Sequence, residues 1–250
     1  MGYNPYSLEK KTILITGASS GIGAETAVEC SRLGATVVLT GRNEERLQSV
    51  LSRLDVSFSQ SHRYLVADLT SEEEIATLVE QLGPVDGLVN NAGINRIKPV
   101  GFIKPDDLNY AFQNNTYSSV LLTKMLLKKK KLGRNSSIVF TSSVSAFFNA
   151  PGRALYAASK AALTAFMRSF AVELAEKGIR ANAVHPGMVE TKLIQETLSD
   201  EEREKDLIQY PLKRYGKPEE VAWAIIYLLS DASAWVTGTS LIIDGGFMLK

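Results

Sequence analysis

An α/β fold, a doubly wound parallel sheet of about seven strands with helices on both faces, is what this 250-residue chain predicts. Three observations carry the prediction. Apolar runs alternate with helix-patterned segments along the whole length, the pattern of repeated βαβ units. Most of the runs are continuously apolar, as in strands covered on both faces. The first run enters a glycine-rich turn and then a helix, the usual opening of such a sheet. No linker or internal repeat interrupts the series, so one domain over residues 1–250 is expected.

In chain order, strands are expected at Thr12–Thr16, Thr36–Thr40, Tyr64–Ala67, Gly87–Asn90, Ser137–Thr141, Ala181–His185 and Ser240–Ile243. Helices fill the intervals. Gly34, after Ser31-Arg32-Leu33, is a C-terminal stop for the first. Ser71-Glu72-Glu73-Glu74 is a capping box that opens the helix toward Leu82. Asp106 to Lys131 is one long helical stretch whose four closing lysines suit the negative end of its dipole. Val189 to Arg214 breaks the rhythm with the charged run Asp200-Glu201-Glu202-Arg203-Glu204-Lys205-Asp206. Solvated helix faces look like this, but its place just after a strand end predicts a substrate lid over 189–214.

Composition bounds the function. Hydrophobic residues make up 45%, charged residues 22%, and the net charge is +1. Such a balance gives no basis for nucleic-acid or membrane-surface binding. The lone cysteine, Cys30, excludes an internal disulfide and fits a reducing, cytoplasmic setting. Inside the first helix it reads as a small buried apolar side chain. Met1 to Lys10 carries no signal-like apolar stretch, and no run reaches the roughly 18 apolar residues of a spanning helix. Two histidines, His62 and His185, and one cysteine are too few for a zinc site.

Two islands carry chemistry. Gly17-Ala18-Ser19-Ser20-Gly21-Ile22-Gly23 follows the first strand. Its glycines let backbone approach an anion, and the helix behind presents free N–H groups and a positive dipole end. Far downstream stands Tyr156-Ala157-Ala158-Ser159-Lys160. Four residues apart, Tyr156 and Lys160 share a helix face. An ammonium there is expected to lower the phenol's pKa and fit it for proton transfer to a carbonyl oxygen. Ser143 lies just past the strand Ser137–Thr141, at the edge where open α/β sheets build sites, with Ser142 as its rival. An acidic residue at the end of the second strand would favour NAD. Here that position is Gly41 and Arg42 follows, which favours the 2′-phosphate of NADP(H) unless Arg42 is merely a solvated helix-start residue. Candidate pocket walls are Asn95, Arg96, Ser145, Phe147, Phe148 and Met188, with His185 either lining the pocket or structural.

Taken together, Thr16-Gly17 with Gly21-Ile22-Gly23, Asn90-Asn91-Ala92-Gly93, Tyr156 with Lys160, Pro186-Gly187 with Thr191, Pro211 to Glu220, and Thr237-Gly238 with Asp244-Gly245-Gly246 resemble the short-chain dehydrogenase/reductase family in that family's order. The resemblance is greatest to its 3-oxoacyl-(acyl-carrier-protein) reductase and carbonyl-reductase group. It implies a Rossmann-type sheet and a reaction passing hydride between nicotinamide and a carbonyl or secondary alcohol, 3-oxoacyl thioesters included. It implies catalytic Asn115 (Asn114 being its neighbour), Ser143, Tyr156 and Lys160, with Lys160 also on the ribose and Asn115 holding a relay water. It implies adenine contacts from Asp68 and Leu69, adenosine-side contacts from Asn91, Ala92 and Gly93, and a clamp from Pro186, Gly187, Val189 and Thr191. It also implies a homotetramer that pairs the Asp106 and Tyr156 helices and packs Trp235 and Phe247 against a neighbour, although Trp223 and Tyr227 could equally be core. Lys128–Lys131, Arg134 and Lys177 form a basic cluster that could dock an acyl carrier protein or simply cap helix ends. A sugar-nucleotide epimerase disagrees with the chain length and glycine spacing. A non-catalytic dinucleotide binder disagrees with the intact Ser143, Tyr156 and Lys160. An NAD-dependent dehydrogenase of a sugar or steroid-like alcohol stays open.

Overall fold

The computed structural model describes residues 3–191 and 200–249. Seven strands form one sheet: β1 (Thr12–Thr16), β2 (Thr36–Gly41), β3 (Arg63–Val66), β4 (Val85–Asn90), β5 (Leu132–Thr141), β6 (Arg180–Pro186) and β7 (Ser240–Ile243). Their order is β3-β2-β1-β4-β5-β6-β7, and every neighbouring pair is parallel. Each predicted strand is present. β5 starts at Leu132 rather than Ser137, and the pairing of β4 with β5 shifts register between Val85 and Gly87 to admit the added length.

Along β1, Ile13 and Ile15 face one side and Leu14 the other. With Val37 and Leu39 of β2, the first face packs against α1 (Gly21–Arg32) and α8 (Pro218–Leu229). On the second face Val38, Leu88, Ile138 and Phe140 meet α3 (Glu72–Gln81), α5 (Ser118–Lys128) and α6 (Ala154–Glu173). Both faces are apolar, which is why the strand sequences hide their period of two.

The helix expected over 106–131 is interrupted. α4 (Pro105–Phe112) passes into a π-helical turn at Gln113–Tyr117 before α5 begins. Side-chain bonds bracket the turn: Asn114 Nδ2 donates to the Tyr110 carbonyl at 2.9 Å, and Ser118 Oγ donates to the Asn114 carbonyl at 2.9 Å. The last lysines also fall outside the helix, because Lys130 turns left-handed (φ 55°) and starts the path into β5. The capping box at Ser71 is half formed. Ser71 Oγ accepts the Glu74 N–H at 3.2 Å, but the Glu74 carboxylate accepts the Asp68 N–H at 2.7 Å instead of reaching back.

The strand order reverses between β1 and β4, so their carboxyl ends open a crevice where ligands of such sheets sit. α2 (Glu44–Leu51) and α7 (Asp200–Leu207) complete the elements used below. Among the described residues, no helix is long and apolar enough to cross a membrane.

Candidate active site

The turn between β1 and α1 is shaped by close contact. Gly17 adopts φ +61°, and a Cβ on Gly23 would lie 2.4 Å from the Gly17 carbonyl oxygen. Side chains at either position would break the turn. Thr16 Oγ1 ties the turn to the end of β4 by accepting the N–H groups of Asn91 (2.9 Å) and Ala92 (3.0 Å). Asn91 Nδ2 reaches back to the Thr16 and Gly17 carbonyls at 3.2 and 3.3 Å.

α1 differs from its neighbours at its start. Asn43 and Ser71 cap α2 and α3 through their side chains, and both helices carry acidic residues in the first turn. Ser20, at the N-cap of α1, makes no side-chain cap bond, and that first turn has no acidic residue. The leading N–H groups are thus left for an outside anion. In front of them lies a cavity of about 400 Å³ lined by Gly17, Ser19, Ser20, Ile22, Gly41, Arg42, Ala67, Asp68, Leu69, Asn91, Ala92, Gly93 and Thr191. Asn114, the neighbour of Asn115, also lines it, as do Arg46, Thr70, Ile94 and Ser118, which no sequence signal marks. Gly21 (φ +54°) and Gly23 shape the turn without being on that wall. Arg42 is largely exposed and stands 4.0 Å from the Asp68 carboxylate. Hydrogen bonds from Thr70, together with Arg42, hold that carboxylate below the usual range although its partial burial opposes this.

A second cavity of about 280 Å³ adjoins the first and shares Ile22, Asn91, Gly93, Ile94 and Thr191 with it. Asn95, Ser143, Tyr156, Lys160, Pro186, Gly187, Met188 and Val189 line it, with Thr141, Ser142 and Arg153. The structure separates the two serines. Ser142 Oγ is turned inward to the Lys160 carbonyl (3.1 Å) and Thr164 Oγ1 (3.0 Å). Ser143 Oγ accepts the Ser145 N–H at 3.1 Å, which leaves its own hydrogen free to donate. Ser145 and Phe147 are absent from this cavity's wall. Phe147 packs on His185 with centroids 4.7 Å apart, and Phe148 meets Phe247 edge-on at 5.2 Å. His185 is fully buried, and its Nδ1 lies 3.0 Å from the Ser143 carbonyl oxygen.

Lys160 is buried and Nζ donates to the Thr141 carbonyl at 2.8 Å. Burial drops its pKa to about 8. Helical spacing alone predicts that Lys160 lowers the Tyr156 pKa, but in the structure that pKa is raised. Burial raises the phenol, and the groups that pull it down are the Ser143 hydroxyl and Arg153. Lys160 Nζ stands 5.9 Å from the centre of the Tyr156 ring.

Asn115 sits inside the π turn. Its Oδ1 accepts the Ile94 N–H at 2.7 Å, and its Nδ2 donates to the Ile94 carbonyl (3.1 Å) and to Ser159 Oγ (2.9 Å). Gly93 is wedged between this amide and the lysine: a Cβ there would be 3.0 Å from Asn115 Oδ1 and 3.2 Å from Lys160 Nζ. Cys30 is fully buried and burial pushes its thiol up. Of the expected lid, 192–199 lies outside the described residues. The rest is tied down: Arg203 pairs with Glu190 at 2.5 Å, and Tyr215 Oη donates to Asp206 at 2.8 Å.

A parallel sheet with a glycine turn at its switch point is the Rossmann-class architecture of dinucleotide-binding proteins, and here its crevice continues into a cavity lined by Ser143, Tyr156 and Lys160. Residues 17–248 match the family model described as enoyl-(acyl carrier protein) reductase. The chain belongs to the short-chain dehydrogenase/reductase family. It is 39% identical to the 3-oxoacyl-[acyl-carrier-protein] reductase FabG of Thermotoga maritima, over 97% of this chain and 99% of that protein. It is 34% identical to the cyclopentanol dehydrogenase of Comamonas testosteroni, over 95% of this chain and 96% of that one. Among solved structures, a short-chain type dehydrogenase/reductase from Mycobacterium ulcerans superposes with a TM-score of 0.91 at 30% identity, over 98% of this chain and 92% of that one. A 7α-hydroxysteroid dehydrogenase complexed with NADH and 7-oxo glycochenodeoxycholic acid gives 0.90 at 32%, over 98% of each chain.

Proposed function

We propose that this protein is an NADP(H)-dependent reductase of a ketone, or dehydrogenase of the matching secondary alcohol, with 3-oxoacyl thioesters as the first substrate class. One observation carries the reading: Ser143, Tyr156 and Lys160 line one cavity that runs into another with a glycine turn at its wall and Arg42 at its rim. The residues fit a dinucleotide. The uncapped start of α1 suits the pyrophosphate, Ala67, Asp68 and Leu69 suit the adenine end, and Lys160 suits the ribose of the nicotinamide. Gly41 presents no carboxylate to a 2′-phosphate, and Arg42 and Arg46 can receive one. When bound, the nicotinamide supplies or accepts the hydride.

The chain's own part is the oxygen and its proton. Ser143 donates its free hydrogen to the substrate's carbonyl oxygen and polarises it. Tyr156, kept protonated at neutral pH by its raised pKa, gives the phenol proton to that oxygen. Lys160, held on the Thr141 carbonyl, keeps two N–H groups for ribose hydroxyls and for returning a proton toward Tyr156. The lid, a homotetramer built on the Asp106 and Tyr156 helices with fully exposed Trp235, cytoplasmic residence and carrier docking at Lys129 and Arg134 belong to the same proposal. Charge reversal at Lys129 and Arg134 should slow a carrier-bound substrate and spare a free ketone.

The test monitors absorbance of reduced nicotinamide, with NADPH and NADH side by side, over acetoacetyl thioesters, cyclic ketones, steroid ketones and sugar ketones. Tyr156→Phe should lose ~10²–10⁴-fold in turnover while binding NADPH as before. A Tyr156→Phe variant as active as the parent would remove the reading. Tighter binding of NADH would remove its NADP(H) part.

A further inference from the structure

The catalytic cavity holds a cation that the proposed reaction does not use. Its wall carries two charged side chains, Lys160 and Arg153, and no carboxylate. Lys160 is engaged by the Thr141 carbonyl. Arg153 is half-buried, yet among the described residues its side chain has no hydrogen-bond or ion-pair partner. Other arginines contrast with it: Arg96 is held by Asp107 at 2.7 Å and Arg203 by Glu190 at 2.5 Å. A guanidinium drawn partly out of water without an anion is a cost that a ligand can repay.

Its backbone is fixed in place. Gly152, at φ +76°, would put a Cβ 2.9 Å from Ile97, and its carbonyl accepts the Lys98 N–H at 2.8 Å. The Arg153 N–H closes the turn on the Ala150 carbonyl at 3.1 Å. Arg153 thus enters the cavity from a rigid corner at the start of α6, three residues before Tyr156 and close enough for its charge to act on that phenol.

We propose that Arg153 determines specificity by binding a carboxylate carried on the substrate itself, so that the site takes small oxo acids with the anion near the reacting carbonyl. This rests on the ketone-reductase reading above and puts small oxo acids in place of thioesters as its first substrate class. A cavity of about 280 Å³ suits a small molecule. The phosphates of a pantetheine thioester are a long chain away from its carbonyl, so they do not meet a cation that shares a wall with Ser143 and Tyr156.

The experiment compares acetoacetate with methyl acetoacetate, which has the same ketone and no charge, in the parent, Arg153→Gln and Arg153→Lys. The parent should favour acetoacetate in kcat/KM by ~10–100-fold, the range of one charge-assisted contact. Arg153→Gln should bring that ratio to near one, chiefly through KM, and Arg153→Lys should restore part of it because charge remains without the fork. Any loss through Tyr156 falls on both substrates and cancels in the ratio. Calorimetric titration with malonate gives a readout that needs no turnover: Arg153→Gln should weaken its binding at least ~10-fold. An unchanged ratio or unchanged malonate binding overturns the proposal. So does a variant that loses acetoacetyl-CoA reduction and keeps that of acetoacetate, since Arg153 would then serve a phosphate. If the parent reduces neither ketone, oxo acids are not its substrates and the proposal falls; if it also reduces no ketone of the panel above, the reductase reading falls with it.

Discussion

Replacing Asn115 by alanine tests whether this asparagine is foremost a clamp. Its amide makes three protein hydrogen bonds, two to the backbone of Ile94 and one to Ser159 Oγ. It is 1% exposed, so water does not share them. At about 1 kcal/mol each the three bonds are worth about 3 kcal/mol. Ile94 borders both cavities, where water can take over part of its backbone's needs, so about 2 kcal/mol is the expected loss. For a chain of this size that is a fall in Tm of about 4–8 °C. Scanning calorimetry measures it, and amide hydrogen exchange at Ile94 shows where it arises. Ser159→Ala removes one of these bonds together with the donation of Ser159 Oγ to the Tyr156 carbonyl at 2.8 Å, so its Tm should fall by about 4–8 °C while both Ile94 bonds remain. An Asn115→Ala protein that melts with the parent, with Ile94 exchange unchanged, would refute the clamp and leave only a water-holding role.

The same geometry sets other outcomes. Gly41→Asp meets nothing nearer than 3.7 Å and should fold normally; a carboxylate there should raise the NADPH Kd by at least ~10-fold and lower that of NADH, read by nucleotide fluorescence. Gly93→Ala, pressed first against Asn115 and then against Lys160, should lower Tm by about 2–4 °C through the asparagine clamp and lose ~10²-fold in kcat/KM through misplacement of the lysine. Lys160→Met should abolish turnover and stabilise the protein. The lysine's folded pKa, about 8, lies below its ordinary 10.5, so at pH 7 its burial costs about 3 kcal/mol. The lost bond to Thr141 takes back about 1 kcal/mol, leaving a gain near 2 kcal/mol. Between pH 8 and 10.5 the unfolded chain binds the extra proton, so the parent gains stability as pH rises and the two Tm curves converge. A variant less stable than the parent at pH 7, or a gap that ignores pH, would count against it.

Much of the sheet was legible because each strand is an uninterrupted apolar run, and the glycine turn because its residue types have few other uses. The π turn was not, since Gln113-Asn114-Asn115-Thr116-Tyr117 does not break a helical pattern; only the side-chain bonds of Asn114 and Ser118 reveal the extra residue. Ser142 and Ser143 are adjacent and chemically identical, and only the inward hydrogen bonds of Ser142 part them. The Tyr156 pKa was misjudged because spacing reports proximity to a charge and is silent on desolvation. Arg153 and Arg46 escape a sequence reading because the fold brings them to cavity walls that no local pattern describes.

The π turn also makes the site sensitive to chain length. An α-helix from Pro105 to Lys128 with one residue fewer would join without a bulge, keeping α5 against β5 and its apolar face intact. The wide turn takes up the surplus residue without rotating α4 against α5, so the two halves would keep their phase when it is removed. The change would stay inside the turn: Asn115 would leave Ile94 and Ser159 while α4 and α5 keep their places. The surplus residue is therefore an offset confined to one turn, and a single-codon deletion there should yield a well-folded protein whose asparagine no longer reaches its partners.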